Sequence, residues 1–164
     1  MDNSESSIKL LTDKSVCMEA VSQLVNQAER HVSIFSQQLE PLLYNQPEIC
    51  DSLSLLARKN KLSSIRILAQ DTRTVMAQGH CLISLAQRLS SYVQVRNPST
   101  PELQRFAESW LIIDNHSMCR INNLERYEGK LILLDRLEVK NQLEFFDMAW
   151  EHSVPDPNMR RLNI

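Results

Sequence analysis

Apolar residues recur at helical spacing from Lys14 to Arg30, where Val16, Cys17, Ala20, Val21, Leu24, Val25 and Ala28 share one face. Asp13, just ahead of them, is placed to cap the helix. The period then shortens. His31 to Ser36 (HVSIFS) reads as a buried strand, and Gln37 to Gln46 as a loop. Pro47 suits a first helical turn, and Ile49, Leu53, Leu56 and Ala57 carry that helix toward Asn60. Ser64 to Ala69 predicts a second strand, His80 to Leu89 a helix entered at Gly79, and Tyr92 to Arg96 a third strand. Pro101 to Arg105 fits a helical turn. Phe106 to Asn122 predicts a β-hairpin, with Trp110 to Ile113 as one strand, Asp114-Asn115-His116 as the turn and Ser117 to Ile121 as the other strand. Leu131 to Leu134 is strand or extended chain. Asp135 is placed to cap a long last helix running to about His152. Helices alternating with short strands predict a layered α/β domain, and the late hairpin makes its sheet mixed.

With 164 residues, the chain is long enough for one domain with a sizeable core. The expected division is a flexible N-terminus over residues 1–11, the α/β domain over 12–153 and an extended C-terminal arm over 154–164. Two glycines argue against a Gly-rich phosphate loop. A net charge of −2 argues against nucleic acid as a partner held by a global field. The cysteines Cys17, Cys50, Cys81 and Cys119 are scattered, with no CxxC pair and no histidine at zinc spacing. They read as small buried hydrophobes in a reducing compartment. No segment reads as membrane-spanning or as a secretory signal, so the expected location is cytoplasmic, without membrane insertion. No cofactor or metal motif is present.

Candidate chemistry is sparse. Gly79 and His80 open a helix after a strand and loop, and with Asp71, Arg73 and Arg96 they outline a possible polar pocket near the strand ends. His116 reads as an exposed turn residue. Arg88 reads as part of a solvated helix face, and Glu125 to Glu128 as a solvated loop. Arg160 and Arg161, with Leu162 and Ile164, form an amphipathic tail that either folds back or docks a neighbour. Trp110 and Trp150 read as core or interface anchors.

Several segments carry a resemblance: Ser64 to Asp71 (SIRILAQD), Gly79 to Arg96 (GHCLISLAQRLSSYVQVR), Ala107 to Asp114 (AESWLIID) and Phe145 to Ser153 (FFDMAWEHS). In their order and spacing the chain, over roughly residues 12 to 164, resembles one half of the phospholipase D superfamily. It looks closest to a bacterial domain of unknown function that in some proteins follows a GNAT-type acetyltransferase. The resemblance implies a mixed sheet flanked by helices on both faces. It also implies a His-x-Lys-x4-Asp motif on the strand entering the hairpin, with the histidine as nucleophile and the lysine as phosphate ligand. Aligned on Asp114, the nucleophile position is Ala107 and the lysine position is Ser109. The superfamily's Gly-Ser-x-Asn element would fall at Ile121 to Leu124 and does not match.

What the resemblance implies is therefore a scaffold without the family's reaction, acting as a binding or interaction module. The expected partners are a second copy of the chain and an acetyltransferase domain. Two other readings stand beside it. One is a phosphodiesterase or nuclease using displaced residues such as His80 or His116. The other is a non-catalytic phospho-ligand or nucleic-acid binder using Arg73, Arg88, Arg96 and the terminal arginines.

Overall fold

The computed structural model describes residues 5–70 and 72–159. Its strands are β1 Ser7–Leu11, β2 His31–Phe35, β3 Ser64–Leu68, β4 Val93–Pro98, β5 Ser109–Ile113, β6 Ser117–Asn123, β7 Glu128–Leu133 and β8 Ser153–Pro155. Its helices are α1 Lys14–Gln27, α2 Pro41–Tyr44, α3 Pro47–Lys59, α4 Arg73–Gln78, α5 Cys81–Arg88, α6 Pro101–Gln104 and α7 Arg136–Glu151. The strands form one sheet in the order β1-β7-β6-β5-β2-β3-β4-β8. Pairing is parallel across β2, β3 and β4 and antiparallel elsewhere.

This is the expected mixed α/β sheet with helices on both faces. Strand alternation divides the interior into two cores. Leu111, Ile113, Cys119, Ile121 and Leu131 point toward α1, α3 and α5. Trp110, Ile112, Met118 and Ile132 point the other way, toward Val139, Phe146 and Ala149 of α7. Both expected N-caps form, since Asp13 Oδ1 accepts from Val16 N at 2.9 Å and Asp135 Oδ1 accepts from Glu138 N at 3.1 Å. At Gly129, β7 crosses so close to β6 that an added Cβ would overlap the Arg120 carbonyl oxygen and lie 2.8 Å from the Ile121 Cα. Only glycine fits there.

The structure differs from the expected boundaries at both ends. The N-terminal segment is not wholly loose: β1 pairs along its length with β7, from Ser7 opposite Leu133 to Leu11 opposite Gly129. It is an edge strand with only Leu11 buried, so it lacks the apolar alternation that marks a strand in sequence. The start of the C-terminal arm is docked rather than extended. β8 pairs with β4, and Asp156 is buried and donates its N–H to the Val95 carbonyl at 3.0 Å. Arg160, Arg161, Leu162 and Ile164 lie outside the described residues.

The cysteines require a second correction. Cys17 and Cys119 are free and buried, as expected, but Cys50 and Cys81 form a disulfide. Cys50 lies in the first turn of α3 and Cys81 opens α5, which brings their Cα atoms to 6.1 Å. A sequence separation of 31 gives no hint of that approach. With two of the four cross-linked, cysteine usage no longer argues for a reducing compartment. Reducing this bond is expected to lower stability by about 3 kcal/mol through loop-closure entropy. Urea unfolding with and without reductant, with Cys50→Ser/Cys81→Ser as reference, measures it.

Candidate functional site

In an open α/β sheet, the carboxyl ends of the parallel strands are where ligands collect. Here those ends are Phe35, Leu68 and Pro98, joined by the start of antiparallel β5, because Phe35 pairs with Trp110. The edge therefore brings the opening of the hairpin strand beside the loops that follow β2, β3 and β4.

At the β5 opening, Ala107 is exposed and Ser109 is 1% exposed. Ser109 lies on the face of Leu111 and Ile113, and its hydroxyl is 3.4 Å from the phenol oxygen of Tyr44, a side chain that is itself 1% exposed. Burial pushes the Tyr44 phenol up, away from ionisation. On the opposite face, Arg120 forks onto Glu108, with Nε to Oε1 at 3.0 Å and Nη2 to Oε1 at 2.8 Å, and lies over the Trp110 ring. Phe35, Phe106 and Phe145 surround the same indole. Trp110 is thus a core anchor, as its apolar run suggests. Trp150 stacks on Phe146 beneath Arg66 and Arg96.

Asp114 sits at the far end of β5, roughly 17 Å along the strand from Ser109. Its carboxylate accepts three backbone N–H groups: Glu29 at 2.8 Å, Arg30 at 2.9 Å and His31 at 2.8 Å. It clamps the α1–β2 connection and does not reach the β5 opening. Asp114 and Asn115 have φ of 49° and 62°, the left-handed pair of a tight hairpin turn.

The structure places the described residues of the polar pocket expected from sequence at separate points. Of the four that are described, Arg73 alone lines the cleft at the strand ends, and Asp71 lies outside the described residues. Gly79, at φ 81°, ends α4 and has open space around it. Arg96 reaches across to β8, donating from Nε to Ser153 Oγ at 2.7 Å and from Nη2 to the Ser153 carbonyl at 2.6 Å. His80 does cap α5, accepting Leu82 N on Nδ1 at 3.1 Å. Its ring is buried, however, and Nε2 bonds the carbonyl of Leu39, whose φ is 48°. Both ring nitrogens are occupied, so His80 fixes a strained loop instead of facing a ligand. His116 belongs to the hairpin turn, at the opposite end of β5 from Ser109, and pairs with Ser117 Oγ at 2.8 Å.

Burial lowers the His80 pKa below its ordinary 6.5, the Leu39 carbonyl opposing only in part. The folded state therefore favours neutral His80. Its contribution to stability is complete above pH 6.5 and is lost as pH falls from 6.5 toward the lowered folded value. Glu40, raised by burial, acts in the opposite sense from its ordinary 4.5 upward. Urea midpoints measured from pH 7 downward should fall in the wild type, and the slope should flatten in His80→Asn, which keeps an N-cap.

The strand ends do hold a polar cleft, of about 550 Å³, built, apart from Arg73, from residues that the sequence does not single out. Gln37 and Gln38 follow β2, Gln70 follows β3, and Asn97 is the next-to-last residue of β4. Thr72, Asp156 and Asn158 complete it. One signal was legible: a carboxamide residue stands at the carboxyl end of each parallel strand. Nothing in the sequence pointed to the tail residues. Among the described residues, no group of three or more His, Cys, Asp or Glu is arranged to hold a metal ion, and no helix is long and apolar enough to cross a membrane.

The fold is that of the phospholipase D superfamily. A phospholipase D family member, Nuc from Salmonella typhimurium, superposes with a TM-score of 0.69 at 14% identity, over 96% of this chain and 100% of that one. NucT from Helicobacter pylori gives 0.67 at 12% identity, over 93% and 100%. TrmBL2, an archaeal chromatin protein described as showing a novel mode of DNA binding, gives 0.67 at 13% identity, over 95% of this chain and 56% of that one. No curated protein matches the sequence. Residues 13–162 match the family described as a domain of unknown function, DUF7931, and the chain belongs to that family.

Proposed function

We infer that this phospholipase-D-like domain is non-catalytic and serves as a binding or interaction module. The observation that carries the reading is the β5 opening. Ala107 offers no nucleophile, and Ser109 is packed beneath the buried Tyr44, where the resemblance would require a phosphate-binding cation. Asp114, the motif residue that is retained, is committed to backbone N–H groups at the other end of the strand. TrmBL2, a little over half of which shares this fold, supports the reading as a protein described by what it binds.

Two partners accompany the proposal. One is a second copy of the chain, since single-half chains of the superfamily pair across the motif face. The other is an acetyltransferase domain, suggested by the resemblance. A strict monomer by light scattering at micromolar protein would remove the first.

The displaced-residue phosphodiesterase is the competing reading, and the placement of its two histidines counts against it. His80 is buried with both nitrogens bonded, and His116 lies at the wrong end of β5. The test is hydrolysis of bis(p-nitrophenyl) phosphate and of a single-stranded oligonucleotide by purified protein. The expected result is turnover no greater than buffer. Turnover lost in His80→Ala or His116→Ala would replace the module with an enzyme.

A further inference from the structure

The two edges of the sheet differ in kind. β8 is 3 residues long and ends in Pro155, which has no N–H to offer a further strand. β1 is 5 residues long, holds no proline or glycine, and keeps an unbroken register with β7 from Ser7 opposite Leu133 to Leu11 opposite Gly129. Ser7, Ile8, Lys9 and Leu10 are all exposed, and no strand flanks β1 on its outer side among the described residues. The N–H and C=O groups of alternate residues therefore face solvent, where a further strand could bond them. Ile8 and Leu10 lie on one face of this edge and are 55% and 66% exposed, so apolar side chains accompany the open backbone.

The charges beside this edge select what pairs there. Lys9 is the middle residue of β1, and Glu5 precedes the strand. Both are exposed, and neither joins an ion pair among the described residues. Antiparallel pairing of β1 with the β1 of a second copy, centred on Ser7, sets Lys9 opposite the partner's Glu5 and Glu5 opposite the partner's Lys9. Opposite charges at facing positions stabilise a strand pair, and like charges destabilise it. Pairing centred on Lys9 would set two lysines against each other, and pairing centred on Ile8 would give Lys9 only a serine. The register about Ser7 also brings Ile8 of each copy diagonally against Ile8 of the other.

We propose that the β1 edge is a self-association surface, where a second copy of the chain adds its own β1 antiparallel about a two-fold axis at Ser7, held by two Lys9–Glu5 pairs. The two-fold uses the free edge of both copies, and Pro155 blocks the opposite edge of each, so the assembly closes as a dimer and does not grow into a fibre. A strand of another protein would meet the same backbone groups without the reciprocal charges. This surface goes beyond the module reading and is separate from the motif face, because β7 and β6 stand between β1 and β5.

Sedimentation equilibrium of the full chain tests it. A monomer–dimer equilibrium is expected, with Kd of about 100 µM or tighter, as suits a contact of one strand's size. Lys9→Glu and Glu5→Lys each turn both facing pairs into like charges, and each should weaken association by about tenfold or more. The double variant Lys9→Glu/Glu5→Lys restores opposite charges and should return Kd to within about threefold of wild type. Both positions are exposed, so the melting temperatures should match that of wild type, which separates lost pairing from lost folding. A strict monomer up to about 1 mM protein, a dimer whose Kd ignores both single exchanges, or a double variant as weak as the singles would each overturn the proposal. A dimer that ignores the exchanges pairs through another face, so this inference can fail while the module reading stands.

Discussion

Asp114→Ala is expected to destabilise the protein by about 4–5 kcal/mol, the sum of three backbone hydrogen bonds to a carboxylate, discounted for partial exposure, and a left-handed residue without a polar side chain. The three N–H groups of Glu29, Arg30 and His31 arise where α1 ends and β2 begins, and the α1–β2 connection leaves them no helical or sheet partner. The carboxylate gathers all three from the end of the neighbouring strand β5 and so sets where central strand β2 enters. Asp114→Asn tolerates the positive φ and keeps one acceptor oxygen, so its cost should fall between wild type and alanine. Urea unfolding of the three proteins measures the series. A loss below about 1 kcal/mol for alanine would mean water replaces the clamp.

Ser109→Lys should cost about 5 kcal/mol, because it buries an ammonium with no carboxylate against a filled space. Tyr44 occupies the volume that such a side chain would need, and its phenol stays un-ionised there. Ser109→Ala should cost about 1 kcal/mol or less, since the contact to Tyr44 is long and both groups are neutral. The contrast between the two variants, read by thermal and urea unfolding, separates a packed position from an empty binding site. A lysine variant as stable as wild type would show that the position accommodates a phosphate ligand.

How much was legible depended on where the deciding interactions lie. Helices α1, α3, α5 and α7 and strands β2 to β6 write their burial into local periodicity, and Asp13 and Asp135 announce their helices by position. Edge strands β1 and β8 do not, because an edge strand half in solvent needs no apolar alternation. Helices α2 and α4, of 4 and 6 residues, are too short for a period to show, so their segments read as loop. Asp114 was visible as turn chemistry, but its clamp depends on residues more than 80 positions away in the chain. His80 looked like a helix opening near an anion, and only the tertiary fold shows its second nitrogen committed to Leu39. The cleft followed a rule of sheet topology, while Asp156 entered it from a tail that reads as surface arm.

The central claim is that no side chain of this domain attacks a phosphodiester. Intact-protein mass spectrometry after rapid acid-free quenching, with a phosphodiester in large excess, tests it at the step that defines the superfamily. The account predicts the unmodified mass at every time point. A covalent phosphoryl adduct on any side chain, His80 and His116 included, would contradict it.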